Sequence, residues 1–100
     1  MKRNIAAVSI AFVLACAAPT IAADGPAVFT AQKCQLCHSI AGKGSAKNPL
    51  DGIGKKLSAA DIKKWIVSPK EMKADTKMKA YANLPAADLD ALVAYISSLK

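Results

Sequence analysis

Cys34-Gln35-Leu36-Cys37-His38 is a cysteine pair at C-x-x-C spacing, followed directly by the single histidine of the chain. On one helical turn, two thiols so spaced reach the two vinyl groups of one porphyrin, and the adjacent imidazole lies under its metal. The segment therefore predicts one covalently attached c-type haem, held by Cys34 and Cys37, with His38 as an iron ligand. Other uses of the pair fit less well. A thioredoxin-like redox pair needs a βαβ setting, and no strand pattern precedes Cys34. Structural zinc needs four ligands, and Cys34, Cys37 and His38 supply three. A plain disulfide leaves His38 and the long loops without a role.

Upstream of the motif, Met1, Lys2 and Arg3 give a positive start, and an apolar run follows from Ile5 to Ala15, broken only by Ser9. Apart from Ile21, small or turn-forming residues occupy positions 17–23. This order predicts a secretory signal peptide over residues 1–23, cleaved after Ala22 or Ala23. The run is short of the roughly 20 residues that span a bilayer, so the mature chain is expected to have no transmembrane span and to lie in the periplasm. Val13-Leu14-Ala15-Cys16 offers a competing reading, a lipobox that would leave an acylated Cys16 as the membrane anchor. Residues 24–100 then form one small domain. A core of that size rarely supplies more than about 3–5 kcal/mol unaided, so a buried prosthetic group is expected to complete it.

Downstream, the pattern is all-α with long loops. A first helix is predicted over roughly Pro26 to Cys37, with its proline near the start, where proline is tolerated. Gly42 to Lys56 reads as a loop, interrupted by Gly42, Gly44, Pro49, Gly52 and Gly54. Ser58, with Asp61 three residues on, caps a second helix to Val67, and Leu57 and Ile62 are placed as its staple. Ile62, Trp65 and Ile66 share one face, and Pro69 stops the helix. Lys70 to Lys73 is expected to form one extra turn. The last helix runs from near Pro85 to Leu99, with Leu89, Leu92, Val93, Ile96 and Leu99 in one stripe. The expected apolar wall around the haem is Leu50, Ile53, Leu57, Ile62, Trp65, Ile66, Leu92 and Ile96. Trp65 serves either as core or as an indole donor to a haem propionate.

With one histidine in the chain, the second axial position is left to Met72, Met78, a lysine or an open site. Neither methionine falls in an apolar stripe, and Met78 lies deeper in the irregular stretch before the last helix. The full chain carries 14 Lys+Arg against 7 Asp+Glu, a formal net charge of +7. Arg3 is its only arginine. Without basic aromatic-interleaved segments, nucleic-acid binding is not expected. Lys33, Lys43, Lys77 and Lys79 are the candidate docking residues for an acidic redox partner.

Across residues 24–100 the chain resembles class I c-type cytochromes, the small monohaem electron carriers. Three stretches carry the likeness: Cys34 to His38, Asn48-Pro49-Leu50-Asp51-Gly52-Ile53-Gly54, and Ser68-Pro69-Lys70 through Asp75-Thr76-Lys77-Met78. The resemblance implies three to four helices with long loops wrapped around one covalent haem c and its iron. It assigns Met78 as the second axial ligand, puts the Pro49 carbonyl on the far nitrogen of His38, and makes the last helix cross the first. Two departures stand out. Phe29 lies five residues before Cys34, where the family has an aromatic four before, so the first helix carries an extra residue or turns its packing face. Ala74-Asp75 replaces the family's Pro-Gly before Thr-Lys-Met, giving a less rigid loop. The implied function is one-electron transfer between exported redox proteins by a monomer, without enzymatic chemistry. A haem subunit of a dehydrogenase or oxidase, and an open-site haem protein, are the alternatives.

Overall fold

The computed structural model describes residues 24–100. The predicted leader and Cys16 lie outside the described residues. Among the described residues there are five helices: α1 Gly25–Ala31, α2 Ile53–Lys56, α3 Ala59–Val67, α4 Pro69–Met72 and α5 Ala86–Ser97. A 3-10 turn spans Cys34–Leu36, and two short strands, β1 Ser39–Ile40 and β2 Lys43–Gly44, pair antiparallel. Among the described residues the domain is mostly helical, as expected from the sequence.

The first helix is shorter than predicted. Gln32 and Lys33 close back on Val28 and Thr30, and Lys33 takes a left-handed conformation at φ 60°. This break absorbs the extra residue between Phe29 and Cys34. The aromatic packing survives, because Phe29 meets Tyr95 of α5 edge to face, with ring centroids 6.1 Å apart and planes at 80°.

The predicted loop 42–56 also holds more order than its composition suggests. Ala41 and Gly42, both at positive φ, make the tight turn between β1 and β2. The Ala41 N–H donates to Asp51 Oδ1 at 2.8 Å, which ties that turn to the far side of the loop. α2 then forms one turn whose Gly54 N–H donates to the Leu99 carbonyl at 2.8 Å. Such two-residue strands and single-turn helices leave no period to read.

The buried core is six apolar side chains, two from each long helix: Val28 and Phe29 of α1, Ile62 and Ile66 of α3, Leu92 and Ile96 of α5. Leu92 is 1% exposed. Leu50, Ile53 and Leu57 pack against this cluster from the loop side. Trp65, placed in the wall by its spacing, is half-buried and stands outside the cluster. Ser58 caps α3 as predicted, its Oγ accepting from the Asp61 N–H at 3.1 Å. α5 keeps its stripe but ends at Ser97, where Ser98 and Leu99 turn back onto the last carbonyls.

The junction of α1 with α5 depends on Gly25. A Cβ there would lie 2.6 Å from the Ala91 carbonyl oxygen and would also run into Tyr95 Cβ. Both obstacles belong to or adjoin backbone, so neither can swing away. Gly25→Ala is expected to destabilise the haem-loaded protein by about 1–3 kcal/mol. A denaturant midpoint unchanged from wild type would show that the two helices do not meet there.

Candidate functional site

The attachment motif folds as one closed turn. The Cys34 carbonyl accepts from the Cys37 N–H at 3.1 Å and from the His38 N–H at 2.9 Å. Cys34, Cys37 and His38 are thereby held on consecutive steps of a single coil. Both cysteines are free; Cys34 is half-buried against the core and Cys37 is exposed. Burial pushes the Cys34 thiol up from its ordinary value, a backbone hydrogen bond offsets part of the rise, and nearby Cys37 adds to it. Leu36, between them, is 68% exposed.

β2 supports this turn from behind. Gly44 sits at φ 105°, and a Cβ there would meet the His38 carbonyl oxygen and lie 3.1 Å from that of Gln35. Only glycine satisfies both the backbone conformation and the close approach. The Ser45 N–H donates to the Gln35 carbonyl at 3.0 Å and fixes the same contact.

The histidine ring is oriented by Asn48. His38 Nδ1 lies 3.0 Å from the Asn48 carbonyl oxygen. A carbonyl can only accept, so Nδ1 carries the proton and Nε2 presents its lone pair to a metal. The resemblance pointed to the Pro49 carbonyl; here the acceptor is one residue earlier. Pro49 instead aligns beside Ser39 in a parallel bridge, and the Leu50 N–H donates to the Ser39 carbonyl at 2.8 Å. That pairing sets the register of the loop and leaves the Asn48 carbonyl facing the ring. The Asn48 amide Nδ2 also donates to the Cys37 carbonyl at 3.1 Å. One residue therefore grips both the ring and the turn that carries it. Its reach was hidden in the sequence, where the neighbouring proline drew the assignment.

The remaining predicted residues divide by position. Leu50, Ile53, Met78 and Cys34 all pack against the one apolar cluster. Met78 is half-buried, and its N–H donates to Thr76 Oγ1 at 3.2 Å. Met72 ends α4 and is not part of that packing. Trp65 is half-buried on α3, and Lys33, Lys43, Lys77 and Lys79 are exposed.

Tyr81 was not singled out by any sequence pattern. Its hydroxyl donates to the Gln32 carbonyl at 3.2 Å, and Lys79 Nζ sits 5.7 Å from its ring centroid. Burial pushes that hydroxyl above its usual range, and the nearby Cys34 and Cys37 add to the shift. The methionine segment thus comes close to the cysteine turn. A lone aromatic in a charged, structureless stretch was the signal available.

The described residues line hollows on the surface. One, of about 550 Å³, is lined by Phe29, Gln35, Ile40 and Tyr95 among others, and another, of about 220 Å³, is bordered by Pro69 and Met78. His38 lines neither, so neither defines the site; the donor chemistry does. Two free thiols on one turn, an imidazole with its outer nitrogen committed, and a thioether on the shared apolar cluster fit a covalently bound haem.

Comparison with known proteins agrees. The chain is 32% identical over 90 residues to cytochrome c oxidase subunit 2 of Alkalihalophilus pseudofirmus, a match covering 81% of this chain and 26% of that protein. The chain therefore spans about a quarter of that relative's length. No solved structure matches. Residues 22–100 match the family described as Cytochrome c. On that match and the turn that carries Cys34, Cys37 and His38, the chain belongs to the cytochrome c family, whose cofactor is covalently bound haem c with its iron.

Proposed function

We propose that the chain is a one-electron carrier that holds its haem through Cys34 and Cys37, with His38 and Met78 as the two axial ligands. When bound, the haem supplies a ferric–ferrous couple at its iron. The His38–Asn48 hydrogen bond carries this reading. It fixes the ring tautomer, raises the basicity of Nε2, and prevents the ring from turning away as the charge on its partner changes. Met78 is the soft donor packed on the same cluster as Cys34, and a thioether opposite an imidazole raises the reduction potential. Leu50 and Ile53, packed on the same cluster, would shield a bound haem from water. With His38 as the chain's single histidine, no second imidazole is available for acid–base chemistry, which disfavours catalysis at an open iron.

The exposed Lys33, Lys43, Lys77 and Lys79 suit transient docking to an acidic redox protein through a small interface. Trp65, half-buried on α3, would share its indole N–H with a haem propionate. The protein acts outside the cytoplasm, in the periplasm, as a monomer; no helix among the described residues is long and apolar enough to cross a membrane. A second reading, a haem subunit of an oxidase, is favoured by the oxidase relative. Purification under mild conditions separates the two, since a permanent subunit elutes with its complex.

Oxidised wild-type protein is expected to show the weak far-red band of a methionine sulfur on ferric haem. Met78→Leu should abolish the band and Met72→Leu should leave it. The reverse pattern would transfer the ligand role to Met72. Removing both attachment points in Cys34→Ala/Cys37→Ala is expected to leave a largely unfolded chain, because six buried apolar side chains are few for one domain. A helical, cooperatively melting form in far-ultraviolet circular dichroism would contradict this. The intact mass of exported protein should correspond to a start at Ala23 or Asp24, whereas a start at acylated Cys16 would replace the periplasmic carrier with an anchored one.

A further inference from the structure

The segment that carries Met78 has little structure of its own. Between Met72 and Ala86 no residue belongs to a helix or strand. Its internal bonds, Thr76 N–H to the Lys73 carbonyl at 3.1 Å and Met78 N–H to Thr76 Oγ1 at 3.2 Å, shape it locally. Such bonds cannot set where the segment sits on the domain, because both partners move together. Position must come from ties to other elements.

Tyr81 makes two of them. Its backbone N–H donates to the Ile66 carbonyl at 2.8 Å, in the last turn of α3. Its hydroxyl donates to the Gln32 carbonyl at 3.2 Å, joining residues 49 positions apart. Gln32 caps the end of α1 and lies two residues before Cys34. The last carbonyls of a helix have no intrahelical donor, so the tyrosine fills a vacancy at the edge of the attachment turn. Tyr81 is half-buried against the apolar cluster, and Lys79 covers one face of its ring at 5.7 Å.

We infer that Tyr81 is a positioning residue for Met78: its hydroxyl, bonded to Gln32, anchors the methionine segment to the turn that bears the haem cysteines. The inference rests on the proposal that Met78 ligates the iron. No proline stiffens the segment between Lys70 and Met78, and the tyrosine tie restrains it from the other side of the methionine. Without the hydroxyl, Met78 leaves the iron more readily, and an exogenous ligand competes for its place at lower concentration.

The test uses ferric haem-loaded protein at neutral pH, with imidazole as the competing ligand and loss of the far-red band as the readout. Tyr81→Phe keeps the ring, its packing and the Lys79 contact, and deletes only the hydroxyl. Half-displacement is expected at about three- to ten-fold lower imidazole, the size of one net hydrogen bond. Amide hydrogen exchange over residues 76–81 should accelerate in the same variant. Ser58→Ala is the control, because it removes the cap at the opposite end of α3 from Ile66 and weakens the fold by a comparable amount. It should leave the imidazole midpoint unmoved. An unshifted midpoint in Tyr81→Phe, or an equal shift in Ser58→Ala, overturns the inference while the Met78 proposal stands. A wild-type protein lacking the band overturns both.

Discussion

One hydrogen bond, from His38 Nδ1 to the Asn48 carbonyl, organises the site and much of the loop around it. It needs the ring in one place and the loop in another. The ring is set by the Cys34 turn, whose single carbonyl collects the N–H groups of Cys37 and His38. The loop is set by the Ser39–Pro49 bridge, the Asn48 amide on the Cys37 carbonyl, and the Asp51 carboxylate on Ala41. Each of these contacts is modest, about 0.5–1.5 kcal/mol net. Together they leave the imidazole one tautomer and one direction, which is what an iron ligand requires in both redox states. Gly44 completes the arrangement from behind, by letting a strand approach the His38 backbone more closely than any side chain allows.

The apolar architecture serves the same end. Two side chains from each of α1, α3 and α5 meet in one cluster, and the candidate thioether ligand and one attachment cysteine rest on its edge. Among the described residues, Pro69 and Ser39 are also buried. With so small a core, a bound haem would add to the stability of the fold as well as supply its chemistry. The lysines remain outside, where they cost little and can act on an approaching surface before contact.

Much of this was legible in the sequence because it is carried by chemistry or by period. The C-x-x-C-H spacing named the cofactor, the Ser58 cap and the α5 stripe gave two helices, and Pro69 gave a boundary. What stayed hidden is carried by tertiary geometry. Lys33 breaks the first helix although nothing in its side chain forbids helix. Asn48 takes the role assigned to Pro49 because a bridge to Ser39 sets the loop register one residue away. Trp65 shares the helical spacing of Ile62 and Ile66, yet it stands outside their cluster. Tyr81 acts through a partner 49 positions away. Neither local propensity nor spacing encodes such pairings, which exist only once the chain is closed.

The Gly25 contact with Ala91 and Tyr95 has a consequence for how the domain is built into larger proteins. α1 and α5 are the first and last described elements, and their meeting brings the two ends of the described stretch side by side, within about two helical turns of each other along α5. A unit whose entry and exit adjoin can be spliced onto another polypeptide at either end, or set within one, without disturbing its interior. The oxidase relative, in which the matching segment is a quarter of a longer chain, shows the kind of modular use that such closure permits.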